Sequence, residues 1–200
     1  MRSLAAVAAL LVLGGCAIMR APEPGAPGVA DPEAWRERQQ DLAGFDHWSL
    51  QGRAATGKVL GWSGNLSWRQ RGESFDVRLS GPLGAGGFRA RGEPGLVRIY
   101  TEDETYYTND PEALVEEIVG WRFPLTGLRY WAIGLPAPGM PGRVAVDGDG
   151  LLTDLWQAGW RLAYTDYREA GGLTLPRRIV LDNGDNTIKL VIDRWFDLER

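Results

Sequence analysis

Cysteine is almost missing from this chain: Cys16 is the single one in 200 residues. No internal disulfide can form from it. Histidine is as scarce, with His47 alone, so a metal cluster cannot be assembled from paired His and Cys. A lone histidine beside a helix is far more often structural or exposed than catalytic. No long run of Lys or Arg occurs and the net charge is −4. That argues against nucleic acid, whose backbone demands clustered cations. Gly84-Ala85-Gly86-Gly87 is not followed by Lys-Ser/Thr, so it reads as a flexible loop and not as a phosphate cradle. Glu102-Asp103-Glu104 reads as a solvated turn and Glu116-Glu117 as the wet face of a helix; two carboxylates converging in the fold as a hydrolase site is the minor alternative. Nothing here points to an enzyme, a cofactor or a metal site. The chain also has no apolar run of the roughly 20 residues that span a bilayer.

What is present begins at the N-terminus. Arg2 supplies a positive charge, residues 4–13 are ten apolar residues, and Gly14-Gly15-Cys16 follows. A basic start, a short apolar run and small residues at a cleavage point make an export signal. Leu13-Gly14-Gly15-Cys16 resembles a lipobox, where a bacterial lipoprotein signal is cut and the cysteine acylated; an ordinary secretory signal is the alternative. A free thiol is a liability in an oxidising compartment, whereas an acylated one has a role. Residues 1–15 are thus expected to be signal, and 16–30 a lipidated cysteine and flexible tether holding Pro22, Pro24 and Pro27. In other lipoproteins Asp after the cysteine favours the inner membrane; Ala17 favours the outer one.

Residues 31–200 suit one domain. Asp31-Pro32-Glu33 starts a helix by capping, a first-turn proline and a favourable charge, with Trp35, Leu42 and Phe45 on its apolar side. From His47 the period becomes two. Strands are expected at 48–56, 58–70, 75–80, 86–91, 96–101 and 104–108, the clearest being Phe75, Val77 and Leu79 alternating with polar residues. Asp110-Pro111-Glu112 starts a second helix with Leu114, Val115, Ile118 and Val119 on one side and Gly120 at its end. A short helix over 127–133 is broken by Gly134-Leu135-Pro136. Strands resume at 151–157, 160–167, 174–182 and 187–196, with Asn183-Gly184 in the last hairpin turn. The expected fold is mainly β (α+β): an unclosed antiparallel barrel of about ten strands, its open side covered by helices over an apolar cavity. Candidate cavity residues are Leu66 and Trp68 on one strand face, Phe75, Val77 and Leu79 on another, and Trp131 and Leu135 in the lid. The same residues could form an ordinary core, and alternation alone does not say which face looks inward. The nine tryptophans suit a core, a large cavity or a membrane-facing surface.

The segment Ser80 to Gly87 has Leu83 as its only large apolar residue, between Pro82 and Gly84. Taken alone, it folds back onto the core, as most loop leucines do. A wider resemblance changes that reading. The lipobox and tether, Trp35-Arg36-Glu37-Arg38-Gln39-Gln40-Asp41, Gly52-Arg53-Ala54, Trp68-Arg69-Gln70 with Gly72, Pro82-Leu83-Gly84, Pro124-Leu125, Leu128-Arg129, Trp131 and Gly134-Leu135-Pro136 together resemble the LolB family of outer-membrane lipoproteins. The resemblance covers nearly the whole chain; the Gly-rich segment after Leu83 and the charges at Arg89 and Arg91 depart from it. It implies an unclosed barrel with a helical lid whose cavity holds acyl chains. It implies a monomeric receptor that accepts acylated lipoproteins from a LolA-like periplasmic carrier and inserts them into the outer membrane of a Gram-negative bacterium. It also implies that Leu83 protrudes and touches membrane lipid. A lipocalin-like binder of a small lipid, and a structural lipoprotein of an envelope assembly complex, are the competing classes.

Overall fold

Asp31 takes the extended backbone of a helix cap, and its Oδ1 accepts from the backbone N–H groups of Glu33 (2.9 Å) and Ala34 (3.1 Å). This starts α1 (Pro32–Leu42) and places Trp35 and Leu42 on a single buried side. The computed structural model describes residues 27–57, 63–81, 87–119 and 125–199. Cys16, most of the tether, residues 58–62 of the expected second strand, Pro82, Leu83, Gly84 and Gly120 lie outside the described residues.

The strands are β1 (Gly28–Val29), β2 (His47–Thr56), β3 (Ser63–Arg71), β4 (Ser74–Ser80), β5 (Gly87–Glu93), β6 (Leu96–Tyr100) and β7 (Thr105–Thr108), then β8 (Gly142–Val146), β9 (Leu152–Gln157), β10 (Trp160–Ala170), β11 (Leu173–Asp182) and β12 (Thr187–Glu199). They form one sheet in the order β1-β8-β9-β10-β11-β12-β2-β3-β4-β5-β6-β7. The expected ten antiparallel strands are therefore corrected to twelve, and one pairing, β1 with β8, is parallel. The tether ends earlier than expected, because Gly28 and Val29 already pair with Ala145 and Val146. The sheet does not close: β1 and β7 remain as its two edges. The C-terminal meander returns to the start of the chain, where β12 zips along β2 from Ile188–Thr56 to Glu199–His47. Gly52 in this seam has no room for a side chain, since a Cβ there would overlap the Val191 carbonyl oxygen.

Between edge strand β7 and β8 the chain forms α2 (Pro111–Val119) and α3 (Leu125–Ala132), starting two residues before the expected short helix. The Asp110 carboxylate caps α2 by accepting from Ala113 N–H (3.0 Å). At the end of α3, Leu135 N–H donates to Tyr130 O (3.0 Å) and Gly134 N–H to Trp131 O (3.1 Å). With φ +82 at Gly134, this is the left-handed glycine stop that the sequence announced.

Register decides the question of faces. Trp195 lies opposite Leu50, Leu50 opposite Trp68, Trp68 opposite Val77, Val77 opposite Ala90 and Ala90 opposite Ile99. A parallel row runs from Ile192 through Gly52 and Leu66 to Leu79 and Phe88. Residues directly opposite share a face, so Leu66, Trp68, Phe75, Val77 and Leu79 all look the same way. The helices sit on that face: Trp35 and Leu42 of α1 and Trp131 of α3 join the sheet's main apolar core, and Leu114 of α2 packs with Ala90, Val97 and Ile99. The opposite face is exposed and polar, with Arg53, Asn65, Ser67, Arg69, Arg78 and Arg91.

Candidate functional site

The inward face is unevenly covered. Around β2, β3 and β12 it is sealed by indoles. Trp48 packs on Trp68 (5.0 Å between centroids) and edge-on to Trp195 (5.4 Å). Three buried indole N–H groups on this face have found acceptors. Trp68 donates to Gln70 Oε1 (3.0 Å), Trp195 to the Pro176 carbonyl (3.0 Å) and Trp131 to Gln157 Oε1 (2.7 Å). Toward β4 and β5 the cover thins. Phe75, Val77, Leu79 and Phe88 face inward yet are only half-buried. These are the apolar side chains that α2 and α3 shelter incompletely, and they form a strip in line with Leu66 and Trp68.

Beside this strip a cleft of about 440 Å³ opens between α1, the β3–β4 turn and the segment after α3. Leu42, Phe45, Trp48, Tyr130, Ile133 and Leu135 supply its apolar lining. Its size is within the range of small-ligand sites. Arg129 stands at its border, donating to the Gly72 carbonyl (3.1 Å) and the Tyr130 hydroxyl (2.8 Å). Gln70, buried beneath, donates to the same carbonyl (2.7 Å).

The lid segment is held by two polar clamps. Gln157 on β9 accepts from Trp131 and from Ala137 N–H (2.8 Å), and donates to the carbonyls of Ala137 (3.0 Å) and Met140 (2.9 Å). Arg38 of α1 donates to the carbonyls of Thr174 (2.9 Å) and Ile133 (3.2 Å) and lies over the Tyr167 ring. Burial holds the Arg38 guanidinium below its ordinary pKa. Burial also pushes the phenols of Tyr164 and Tyr167 up; they serve as neutral donors to the carbonyls of Trp131 (3.0 Å) and Leu152 (2.8 Å).

Of the expected cavity residues, Leu66, Trp68, Phe75, Val77 and Leu79 meet on one face, whereas Trp131 is buried beneath the lid and Leu135 alone of the set lines the cleft. Phe45, Trp48, Tyr130 and Ile133 were not singled out as lining. Trp48 was legible, since it alternates in phase with Leu50; the others come together only through the crossing of α1 and α3. Among the described residues no cluster of His, Cys, Asp or Glu could hold a metal. Among the same residues no helix is long and apolar enough to cross a membrane.

Residues 46–195 match the family described as Outer membrane lipoprotein LolB. The chain is 40% identical over 190 residues to an outer-membrane lipoprotein LolB of Pseudomonas fluorescens, covering 94% of this chain and 92% of the relative. It is 39% identical over 197 residues to that of Pseudomonas aeruginosa strain LESB58, covering 98% and 96%. Among solved structures, a LolA superfamily protein from Nitrosomonas europaea is similar in fold, with TM-score 0.52 at 8% identity, over 86% of this chain and 95% of that one.

Proposed function

The chain belongs to the outer-membrane lipoprotein LolB family, and from that membership we propose that it receives acylated lipoproteins from a LolA-like periplasmic carrier and inserts them into the outer membrane. It is an outer-membrane lipoprotein, and its family is one of lipoprotein localisation and not of catalysis. Cys16 carries its lipid, residues 1–15 are its signal, and it works as a monomer on a tether.

The observation that carries the reading is the inward apolar strip of Phe75, Val77 and Leu79, half-buried on the face that carries the helices inserted between edge strand β7 and β8. A lipoprotein with three chains of about 16 carbons would expose apolar surface worth on the order of 35 kcal/mol in water, at about 0.8 kcal/mol per CH₂. Release into the periplasm is therefore negligibly slow, and cargo passes directly from one apolar surface to another. The helices α2 and α3 yield to let acyl chains lie along the strip, with Leu66, Trp68, Trp131 and Leu135 forming its floor and lid. With no nucleotide-driven step, each acceptor binds more tightly than its donor: carrier, then this protein, then membrane. Leu83, between Pro82 and Gly84, reaches into lipid at the last step. One leucine contributes only about 1.5–3 kcal/mol on full burial, so it opens a path and does not anchor.

The test is transfer in two stages. A Cys16→Ser chain freed of its signal should still take lipoprotein from a loaded carrier in solution. Leu83→Glu in the lipidated protein should leave that receipt intact and slow delivery to liposomes. A folded domain that takes no cargo refutes the receiver role; unchanged delivery by the Leu83 variant refutes the insertion role of the loop.

A further inference from the structure

We propose that edge strand β7 (Thr105–Thr108) holds the polypeptide of the cargo: the first residues after the cargo's acylated cysteine add to β7 as an extra strand, bound through the main chain. The inference rests on the reading above, that the acyl chains of a lipoprotein lie on the inward strip; it adds where the attached polypeptide leaves and what holds it there.

The first observation is which backbone groups this edge leaves open. Thr101 N–H donates to the Glu104 carbonyl where the β6–β7 hairpin turns (2.9 Å). Directly opposite residues in an antiparallel pair alternate between bonded and unbonded. The next ladder bonds are therefore those of Ile99 with Tyr106 and of Val97 with Thr108. Thr105 and Tyr107 turn N–H and C=O away from β6, and among the described residues these groups meet no partner. Two donors and two acceptors thus stand in a row, with the spacing that strand addition uses.

The second observation is the chemistry of the edge. Natural sheets blunt their edges with short strands, proline or charge. The far edge follows that rule, since β1 is two residues long with Pro27 before it and Pro32 soon after. β7 reads Thr-Tyr-Tyr-Thr, with no charge, proline or glycine, and both residue types favour strands. Tyr107 is 67% exposed. Nearby on the outer face the ion pairs are closed, Asp76 with Arg89 (2.8 Å) and Arg91 (3.0 Å), and Glu93 with Arg98 (3.4 Å). An aromatic ring in water beside an open ladder offers an arriving strand a cross-strand partner.

Position and charge choose the occupant. The inward apolar surface reaches this edge: Phe75, Phe88 and Tyr106 pack on the cluster of Ala90, Val97 and Ile99. β7 lies three strands from β4, about 14 Å at the usual strand spacing, whereas β1 lies eight strands away on the other side. Acyl chains and polypeptide leave the same cysteine, so with the chains on β4 the near edge is the polypeptide's way out. Main-chain bonds are blind to side chains, which suits a receiver of lipoproteins that differ in sequence. A second copy of this chain is the poorer occupant. When Thr105 of one copy pairs with Tyr107 of another, Asp103 comes beside Asn109 and Asp110, and like charges so placed oppose the pairing.

The experiment follows amide hydrogen exchange by NMR in the mature chain carrying Cys16→Ser, before and after loading with a synthetic triacylated pentapeptide. The amides of Thr105 and Tyr107 should exchange freely in the unloaded chain and slow about tenfold or more on loading. Those of Tyr106 and Thr108, already bonded to β6, should change little. Such alternation marks an added strand, whereas a general tightening of β7 slows all four alike and overturns the proposal. Two further lipopeptides, N-methylated at alternate residues in opposite phases, keep their acyl chains. One phase blocks the donors that face β7 and should be released about tenfold faster; the other should match the unmethylated peptide. Loading without protection at 105 and 107 overturns the proposal and leaves the receiver reading standing. A chain that takes up no lipopeptide overturns both. Protection of 105 and 107 by unloaded carrier alone would make the carrier the occupant, and the proposal would again be wrong.

Discussion

Replacing Gln157 by Leu removes the clamp that ties the lid segment to the sheet while keeping side-chain size nearly constant. Gln157 is 3% exposed, Trp131 1% and Ala137 4%, so water cannot readily take over the lost bonds. Two buried donors, the Trp131 indole N–H and the Ala137 backbone N–H, lose their acceptor, and the Ala137 and Met140 carbonyls lose a donor. A buried donor left unsatisfied costs about 1–3 kcal/mol, and carbonyls with a second lone pair less. The sum is about 4 kcal/mol, a large share of the 5–15 kcal/mol that is usual for a domain. Urea unfolding followed by tryptophan fluorescence reads it directly. With a urea slope of about 2 kcal/mol per molar, the midpoint should fall by on the order of 2 M at unchanged slope. A fall below about 0.3 M would mean that the four bonds are replaceable and that Gln157 does not hold the lid.

Gly52→Ala should cost on the order of 3 kcal/mol, since the new methyl meets the Val191 carbonyl across the β2–β12 seam, where backbone and not a pliable side chain must yield. An unchanged urea midpoint would contradict it. The outer-face pair predicts a pH dependence of known sign. The Arg89 hydrogen bond, seconded by that of Arg91, holds the Asp76 carboxyl below its ordinary range. Its contribution to stability is therefore complete above about pH 4 and is lost as pH falls through the lowered value. The stability difference between wild type and Asp76→Asn, measured by urea melts over a pH series, should be flat near neutrality and shrink in acid; a difference that grows in acid would reverse the assignment.

Much of this architecture was readable before any coordinates, for reasons specific to particular residues. Asp31-Pro32-Glu33, Asp110-Pro111-Glu112 and Gly134 act through local backbone chemistry, and each starts or stops a helix where expected. The alternation of Phe75, Val77 and Leu79 gave a strand because nothing competes with a period of two there. β8 escaped notice because its five residues are wedged between Pro141 and the Asp147-to-Gly150 turn, too short to set up a pattern. β1 is two residues whose pairing with β8 is a tertiary choice, invisible in a proline-rich stretch. The inward face could not be chosen from one strand, since Trp68 and Val77 share it only through a register set by the β3–β4 hairpin. Gln157 was illegible for a related reason: its four partners come from a segment up to 26 residues upstream, and nothing local marks a glutamine as buried.

The central claim, that acyl chains of the cargo lie on the inward strip of β4, is tested most directly by placing a photoreactive amino acid at Val77 or at its neighbour Arg78 and loading each protein from a carrier bearing lipoprotein with labelled acyl chains. Alternation puts these adjacent residues on opposite faces of the sheet. The account predicts cross-linking of the acyl label at position 77 and little at position 78. Equal labelling at the two positions, or label at 78 alone, would contradict it.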